Sequence, residues 1–562
     1  MTQVLHGVGG LLDGLASRGS SAATALRVIA TSGVVRPHSP ATLVRLAKVL
    51  HTWGTGPAGG FATLAVRQPE AVGLVDELGT LTWRELHGRS NALARALAGL
   101  GVGEGDGVAV MCRNHRGFLD ATLAVNKLGA DVLYLNTAFA APQLADVLER
   151  EGPKVVIHDQ EFEALLSGGL EGPVAPVRIV AWTDSAVDGD TVDGLISRHS
   201  GADLRPPSRR GRLVILTSGT TGTPKGAPRS EAGIDAAISL LSRMPIRAGY
   251  RTHVAAPLFH TWGLAHLLLT MLLGTPLVLR RRFDPEEALR AITTEKAETF
   301  VVIPVMLQRI LALPEETRAS YDLSGLRVVA SSGSALPGDL ATGWMDAFGD
   351  HLYNIYGSTE VAYASIATPA DLRAAPTSAG RPPWGTVVRI LDDAGAEVPA
   401  GEPGRIFVGN TLLFEGYTGG GHKEVVDGLM ATGDVGRFGA DGRLYVEGRD
   451  DEMIVSGGEN VFPREVEDCL ARHPAVVEVA AVGVADPDFG QRLRAFVVVA
   501  DDAPGVTDDE LGDWVRDNLA RYKVPREIVR VAELPRNATG KVLKRELAAT
   551  DADADGTHEK ES

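Results

Sequence analysis

Cysteine is scarce in this sequence. Its 562 residues include two cysteines, Cys112 and Cys469. Two thiols are too few for a disulfide framework or for a zinc site built from several cysteines. This scarcity excludes the small disulfide-rich secreted domains. It also indicates a reducing compartment, so the cytoplasm is the expected location.

An excess of positive charge is also absent. The chain has 55 Lys and Arg residues against 71 Asp and Glu residues, which gives a formal net charge of −16. We therefore expect no non-specific binding of nucleic acid, which requires basic surfaces. Hydrophobic residues make up 44% and charged residues 22%. These fractions are ordinary for a globular protein and exclude a mainly disordered chain.

Long apolar runs are nearly absent. Residues 252–279 contain no Asp, Glu, Lys or Arg, but prolines and a Gly-Thr-Pro break leave only the 16 residues 258–273 uninterrupted. A membrane-spanning helix needs about 20 apolar residues. We predict a buried helix that leads into a core strand. The N-terminus has no basic stretch followed by a compact apolar one, so a secretory signal is not expected.

The first 60 residues form a separate N-terminal extension. Residues 22–32 and 41–53 are apolar with Arg27, Arg45 and Lys48 interspersed, which predicts two short amphipathic helices. Such helices can pack on the main body, and basic amphipathic helices can also lie on a membrane. Both interpretations stay open, the second as peripheral contact with the inner face of a membrane.

The remaining sequence predicts an α/β protein. Short buried strands at 107–111, 154–157, 213–216 and 299–303 alternate with helical patterns such as 117–127, which is typical of parallel sheets covered by helices. Shorter, glycine-punctuated strands from about residue 386 predict a β-rich subdomain. The predicted units are a helical extension (1–60), a large domain (61–449), a small α+β C-terminal domain (450–550) and a disordered acidic tail (551–562).

One loop has the composition of a phosphate-binding loop. The strand at 213–216 runs directly into glycines, hydroxyl side chains and a lysine, whose backbone N–H groups and positive charge can surround a polyphosphate. Neither the dinucleotide fingerprint nor the Walker A pattern fits, because Lys225 is followed by glycine. The candidate residues are Thr217, Ser218, Gly219, Thr220, Thr221, Gly222 and Lys225.

The order of residues in this loop is more specific than its composition. Ser-Gly-Thr-Thr-Gly-Thr-Pro-Lys-Gly resembles the signature loop of the adenylate-forming, AMP-binding superfamily, which includes the acyl-CoA synthetases. Further blocks follow in that family's order: 257–260, 356–360, 432–434, 448–467 and 537–541. The resemblance covers residues 60–547. It implies that a carboxylate reacts with ATP to give an acyl-adenylate and pyrophosphate, and that a thiol then displaces AMP. ATP, Mg²⁺ and CoA are the implied cofactors.

The resemblance also implies roles for the nucleotide site. Glu360 is the expected Mg²⁺ ligand, to which Thr217 can add a hydroxyl. Thr359 is expected to bind a phosphate oxygen, Tyr356 to stack on adenine, and Asp434 to accept the ribose hydroxyls. The other expected nucleotide contacts are Ser332, Gly333, Ser334, Gly357, Ser358, Arg449 and Asn460.

Two further groups complete the predicted machinery. Lys541, in a loop of the small domain, is expected to stabilise charge in the first step, and His260 is expected to separate the ATP and acid sites. Asp451 matches the family's hinge, about which the small domain is expected to rotate between the two steps. Ser456, Gly457 and Gly458 are expected to border the pantetheine arm of CoA.

The acid substrate is less well determined. The predicted pocket residues are Phe259, Trp262, Val305, Ala335 and Val361. Because these are apolar, we expect a hydrophobic acid, with a medium- or long-chain fatty acid as the prediction and an aromatic acid as its rival. Amino acids are less favoured, since the nearby Asp235 falls in a helical pattern. Two other activities stay open: loading of a carrier protein or a stop at the acyl-adenylate, and a catalytically silent scaffold. The oligomeric state is open.

Overall fold

The computed structural model describes most of the chain. The described residues are 23–139, 141–167, 176–217, 225–229, 234–414, 416–417, 422–450, 454–456, 459–486, 490–500, 503, 505–519, 523–537 and 540–549. Within these ranges the strands form four sheets. Two sheets build the large domain, one forms a β-rich subdomain and one belongs to the small C-terminal unit.

The first large sheet has parallel strands in its middle and antiparallel strands at its edges. Its strands are β1 (Val72–Asp76), β2 (Gly79–Thr82), β9 (Thr252–Val254), β10 (Leu277–Val278), β11 (Thr299–Val302), β12 (Val328–Ser331), β13 (Leu352–Tyr356) and β14 (Ser365–Ala367). They lie in the order β14-β13-β12-β11-β9-β10-β1-β2. Strand β11 is buried along its whole length, as expected for a parallel strand covered on both faces.

The second large sheet confirms the predicted alternation of strands and helices. Its strands are β3 (Gly107–Met111), β4 (Asp131–Tyr134), β5 (Val155–Asp159), β6 (Val177–Trp182), β7 (Leu213–Thr217) and β8 (Lys225–Arg229), in the order β6-β5-β3-β4-β7-β8. All neighbours are parallel except the β7–β8 hairpin. The predicted phosphate loop therefore follows the carboxyl end of a parallel strand.

Helices cover both sheets. They are α4 (Trp83–Gly99), α5 (Arg116–Lys127), α6 (Ala141–Glu151), α7 (Glu163–Ser167), α8 (Val192–Arg198), α9 (Ile234–Leu241), α10 (Thr261–Leu273), α11 (Pro285–Glu295), α12 (Pro304–Leu311), α13 (Glu315–Ala319), α14 (Gly338–Phe348) and α15 (Pro369–Ala374). At the start of α4, Thr82 and Glu85 exchange side-chain and backbone hydrogen bonds. Two otherwise unpaired N–H groups are satisfied in this way.

The β-rich subdomain lies where the sequence predicts it. Its strands are β15 (Val387–Leu391), β16 (Gly404–Gly409), β17 (Val425–Val426), β18 (Leu429–Phe438) and β19 (Leu444–Arg449). Every pairing in this sheet is antiparallel. Antiparallel strands can leave one face in water, which explains the alternating burial of β15.

The small C-terminal unit has its own apolar core. It contains β20 (Ile454–Ser456), β21 (Glu459–Val461), α16 (Pro463–Leu470), β22 (Val476–Asp486), β23 (Gly490–Val499), α17 (Asp508–Asn518), β24 (Glu527–Arg530) and α18 (Lys544–Ala549). Val466 and Leu470 of α16 pack with Val497 of β23 and Leu511 of α17. The predicted fold class, a large α/β domain with a β-rich subdomain and a small α+β unit, is confirmed.

The N-terminal extension contains two helices before the first sheet, α1 (23–32) and α2 (Pro40–Trp53), and they are followed by α3 (Pro57–Arg67). Val28 of α1 is 4% exposed and packs with Leu269 and Leu273 of α10, so α1 is docked on the main body. Helix α2 contacts α3 but has no buried residue. The two predicted helices are confirmed, and packing holds them through α1.

The apolar run at 252–279 forms the predicted buried helix and core strand. Helix α10 ends at Gly274, whose φ of 65° is the left-handed conformation that ends many helices. Strand β10 follows and pairs with β1 and β9. Among the residues that the structure describes, no helix has the length and apolar content needed to cross a membrane.

Candidate active site

A tight turn at the carboxyl end of β13 fixes the predicted Mg²⁺ ligand. A Cβ atom at Gly357 would lie 2.3 Å from the carbonyl oxygen of Ala362, so only glycine fits there. The Ser358 hydroxyl accepts hydrogen bonds from the backbone N–H groups of Glu360 and Val361. The turn therefore projects residues 358–360 beyond the sheet edge, where ligands of open α/β sheets bind.

The Glu360 side chain has a phenolic partner that the sequence did not reveal. The Tyr417 hydroxyl donates a hydrogen bond to Oε1 of Glu360 at 2.8 Å. The backbone N–H of Phe414 donates to the Glu360 carbonyl oxygen at 2.8 Å. Burial first, and the Glu360 charge second, raise the pKa of Tyr417, so the phenol stays a proton donor. A fixed carboxylate is the hard oxygen ligand that Mg²⁺ prefers, so these residues fit that ion.

A second polar group joins β13 to the β-rich subdomain. The Tyr356 hydroxyl donates to Oδ2 of Asp434 at 2.5 Å, and its oxygen lies 3.3 Å from Oγ1 of Thr432. Arg449, which lies opposite Asp434 in the β18–β19 pairing, donates to its Oδ1 at 3.4 Å. Burial raises the pKa of Asp434, and Tyr356 and Arg449 oppose that rise. Each carboxylate oxygen keeps acceptor capacity for a further donor such as a ribose hydroxyl.

Lys541 lies in a turn of the small unit that touches the large domain. The Asn537 side chain accepts a hydrogen bond from the Lys541 N–H, and the Asn537 N–H donates to the Lys541 carbonyl oxygen, both at 2.9 Å. A Cβ at Gly540 would lie 2.6 Å from Cγ1 of Val305. The positive charge of Lys541 also lowers the pKa of Asp434, although burial of that carboxyl dominates. The structure thus places the Lys541 turn against the large domain, close enough for its charge to act on Asp434.

His260 precedes α10 and is half-buried beside Phe259, with 4.5 Å between ring centres. Burial lowers the pKa of His260 to about 4, so the ring is neutral near pH 7. Its Nε2 atom is buried and has no hydrogen-bond partner among the described residues. A buried polar atom without a partner costs free energy, so this nitrogen is a candidate to bind a substrate oxygen.

The predicted acid-pocket residues divide into two groups. Trp262 is fixed by a 3.0 Å hydrogen bond from its Nε1 to the carbonyl oxygen of Val302, and the His266 ring packs edge-on against it. Val305 lies just past β11, and Ala335 is exposed. Val361 does not join them. It is fully buried in the apolar core of the β-rich subdomain, and its assignment to the pocket stays a prediction.

The small residues after β12 lie at the same sheet edge. Ser332 donates from its hydroxyl to the carbonyl oxygen of Ile355 at 2.9 Å, which joins β12 to β13. Gly333 has a φ of 98°, a conformation that favours glycine, and it is exposed. Ser334 is half-buried beside it. Thr359 lies 3.4 Å from the hydroxyl of Thr261 at the start of α10.

Asn114 is a structural residue of the site that sequence reasoning missed. Its side-chain amide donates to the carbonyl oxygens of Val254 and Ala256, and its Oδ1 accepts from the N–H of Leu258 at 2.9 Å. These bonds fix the segment between β9 and His260. Its position three residues past the buried strand β3 was the available signal, since polar residues at carboxyl ends of parallel strands often serve the site.

Several predicted residues fall outside the description. Ser218, Gly219, Thr220, Thr221, Gly222, Asp451, Gly457 and Gly458 lie outside the described residues. Only the backbone is described for Thr217, Lys225, Ser456 and Asn460. In that backbone Thr217 and Lys225 face each other across the β7–β8 pairing. The roles predicted for all these residues, and the predicted domain boundaries, stay predictions.

Together, the sheet edge, the two carboxylates and the lysine on a separate unit define a nucleotide-dependent α/β enzyme of the adenylate-forming type. The family model described as AMP-binding enzyme matches residues 61–418, and that of the AMP-binding enzyme C-terminal domain matches residues 465–541. The chain belongs to the AMP-binding enzyme family.

The relatives are mainly CoA ligases. A feruloyl-CoA synthase from Amycolatopsis sp is 35% identical over 83% of this chain and 93% of its own length. An indoleacetate–CoA ligase from Aromatoleum aromaticum is 33% identical over 83% of this chain and 92% of its own length. Among solved structures, an anthranilate CoA ligase in complex with anthranoyl-AMP has a TM-score of 0.78 and 28% identity, covering 88% of this chain and 98% of that one.

The protein is an AMP-forming acid–thiol ligase of the acyl- or aryl-CoA type. Enzymes of this class use ATP, Mg²⁺ and CoA, as the sequence predicts, and ATP-bound and acyl-adenylate-bound structures are among the similar ones. The bound metal neutralises phosphate charge when present. A carboxylic acid and CoA are therefore the small-molecule partners.

Proposed function

We propose that the acid is hydrophobic and carries no charge beyond its reacting carboxylate. The observation that carries this proposal is the half-buried His260, which is neutral because burial lowers its pKa to about 4 and whose ring lies 4.5 Å from that of Phe259 just before α10. A second charge on the substrate would be buried there without a partner, and an unpaired buried charge is costly. A hydrophobic acid meets no such cost.

In the first step a carboxylate oxygen attacks the α-phosphorus of ATP. The new O–P bond forms as the bond to the pyrophosphate oxygen breaks, and pyrophosphate leaves with that electron pair. Negative charge spreads over the phosphate oxygens, and Lys541 supplies a positive charge on the side of the cleft that faces Asp434. Glu360 holds the Mg²⁺ position, and Asp434 with Arg449 positions the ribose.

In the second step the thiol sulfur of CoA attacks the acyl carbon, the thiol proton is released, and AMP leaves with the electrons of the broken bond. Lys541 is not needed there. The contact of Gly540 with Val305 holds the lysine turn at the site and must separate before another face of the small unit can be presented. Rotation about Asp451 is our proposal for that separation.

Two kinds of acid satisfy these conditions. A medium- or long-chain fatty acid is the first candidate, on the apolar character of the pocket residues. An aryl acid is the second, and a specific observation favours it. Trp262 is held in one position by Val302 and His266, so it presents a rigid flat wall suited to a planar ring. The aryl-CoA ligases among the relatives point the same way.

Acid-dependent pyrophosphate release tests the function. The purified protein is incubated with ATP, Mg²⁺ and a panel of fatty, aryl, amino and dicarboxylic acids, with and without CoA. We expect release with fatty or aryl acids and thioester only when CoA is added. Accumulation of acyl-adenylate without thioester would instead support transfer to a carrier protein. No turnover with any acid would support the silent scaffold, and preferred use of dicarboxylic acids would refute the proposal.

Substitution of Trp262 separates the two acids. If this ring limits the depth of the pocket, Trp262→Ala should raise kcat/KM for long fatty acids over aryl acids by about 10- to 200-fold, the range that small changes in an apolar pocket produce. Trp182→Ala, in β6 of the other sheet, is the matched control for general loss of stability. Equal losses for both acids would show that Trp262 is only a core residue.

A further inference from the structure

Helices α1 and α2, residues 23–53, expose several large apolar side chains. We call these two helices and their connection the helix pair. Val44 is 70% exposed and Leu26 is 67% exposed, values more typical of charged residues. The other exposed apolar side chains of the helix pair are Val35, Leu43 and Leu50. Grouped exposed apolar side chains commonly mark a surface that binds something.

The exposed residues of α2 have the spacing of an amphipathic helix. Leu43, Ala47 and Leu50 are four and three residues apart, so they lie on one side of the helix. Val44 borders this row, and Lys48 lies one turn beyond it, also exposed. The outward face of α2 thus has an apolar row edged by positive charge. Its inward face is only half-buried, because α2 has no buried residue.

The region around the helix pair contains basic residues but no acidic ones, unlike the rest of the chain. From residue 14 to residue 69 the sequence has no Asp or Glu, although the whole chain carries −16. The basic residues described here are Arg27, Arg36, Arg45, Lys48 and Arg67. Within the described part of the chain none of these five forms an ion pair, whereas many arginines of the large domain do.

Arg36, in the connection of the helix pair, and Arg67, at the end of α3, also carry positive charge without an ion-pair partner among the described residues. Nε and Nη2 of Arg67 are buried and have no hydrogen-bond partner among the described residues. Burial, and secondly the nearby charge of Arg36, lower the pKa of Arg67. These two arginines therefore add positive charge to a stretch of sequence, residues 14–69, that has no Asp or Glu.

We propose that the helix pair is a docking surface for a bilayer that contains anionic phospholipids. The apolar row of α2 would enter the boundary of the acyl chains while Arg45 and Lys48 meet the phosphate headgroups, which is the arrangement of interfacial amphipathic helices. The choice of a bilayer follows from charge. A second copy of this chain in a symmetric contact would present the same basic face and be repelled.

Docking would place the acid site near the membrane. Val28 of α1 packs against Leu269 and Leu273 of α10, and the other end of α10 carries Trp262. One helix therefore connects the helix pair to the proposed acid pocket. An apolar acid dissolved in the bilayer would have a short path to the site. This last point rests on the proposed function, but the docking itself does not.

Sedimentation with vesicles tests the proposal on the full chain. The protein is mixed with phosphatidylcholine vesicles or with vesicles of phosphatidylcholine and phosphatidylglycerol. We expect several-fold more protein to sediment with the anionic vesicles, and added salt to release it. Leu43→Ser/Leu50→Ser and Arg45→Gln/Lys48→Gln should each reduce sedimentation at least several-fold. Val387→Ser/Val425→Ser, at exposed apolar positions of the β-rich subdomain, should not.

Each alternative gives a distinct result. Equal sedimentation with both kinds of vesicle, or equal sedimentation of all variants, would overturn the proposal. So would a vesicle-independent dimer that the helix-pair variants dissociate, because that would assign the surface to a second copy. Far-UV circular dichroism and acid-dependent pyrophosphate release should be unchanged in all variants. These measurements separate failure of docking from misfolding and from failure of the proposed function.

Discussion

The active site and the helix pair use charge in opposite ways. In the site Glu360 is held by Tyr417, and Asp434 is held by Tyr356 and Arg449, at defined distances and largely away from water. In the helix pair the cations have no ion-pair partner among the described residues. Charges fixed before a reaction stabilise its transition state without reorganisation, whereas unpaired surface charge favours association.

Replacement of Lys541 should have the largest effect on activity. Lys541 is the cation of the site that lies exposed on a separate unit. Lys541→Ala should reduce acid-dependent ATP–pyrophosphate exchange by about a hundredfold to a thousandfold, the usual cost of removing one group that stabilises transition-state charge. Conversion of supplied acyl-adenylate to thioester should be nearly unchanged. Lys544→Ala, three residues away in α18, is the control. Equal loss in both half-reactions would contradict a lysine that serves only the first.

Tyr417 should have the next largest effect. It touches Glu360 and is a positioning residue for that carboxylate. Tyr417→Phe should raise the Mg²⁺ concentration needed for half-maximal activity by about 10- to 100-fold, the effect typical of a lost partner of a metal ligand. Activity at saturating Mg²⁺ should largely recover. A loss of activity that Mg²⁺ does not restore would show that the phenol only stabilises the local fold.

The stability of the protein should fall at acid pH because of three histidines whose pKa values are lowered by burial. Burial lowers the pKa values of His253, His260 and His266 to about 4. In the unfolded chain these rings bind protons below about pH 6.5. The contribution of the neutral rings to the free energy of unfolding is therefore fully present above pH 6.5 and is lost as the pH falls towards 4.

The expected loss is about 1 kcal/mol per pH unit for each histidine within that window. Denaturant unfolding at several pH values between 6.5 and 4.5 measures it. His266→Gln removes one of the three groups, so its stability should change less steeply with pH. A slope identical to that of the parent protein would mean that His266 already binds a proton in the folded state.

The smallest effects are expected on the helix pair. Val44→Ser should change the free energy of unfolding by less than about 0.5 kcal/mol, because the side chain is exposed and makes no core contact. Val28→Ala in α1 is the matched substitution at a buried position, and it should cost more than about 1 kcal/mol. Calorimetry or denaturant unfolding checks both values. Similar losses would mean that α2 packs as firmly as α1.

Much of the fold was predictable because local signals agree with the long-range structure. The capping pair Thr82 and Glu85, the buried strand at 299–302 and the Gly274 break each have a local physical cause. Residues 356–360 and 432–434 were recognisable as motifs. The structure adds that the phenol of Tyr356 joins these two motifs through Asp434.

The parts of the candidate site that could not be predicted depend on contacts between segments that are distant in the sequence. Glu360 and Tyr417 are 57 residues apart, and Asn114 and Leu258 are 144 apart, so no local pattern pairs them. Adjacent residues can also differ in their surroundings. Val361 follows the motif residue Glu360 directly, yet it is fully buried in the apolar core of the β-rich subdomain, which the sequence pattern did not indicate.

The turn at Gly540 has a consequence for kinetics. Its φ of 76° and its approach to Val305 leave no room for even one methyl group. An alanine there would clash with Val305 and keep the lysine turn from packing on the large domain. The residues at the edge of the first large sheet would not be changed. In the rotation that we propose, the lysine turn seats before the first half-reaction, so ATP and the acid must bind before it seats.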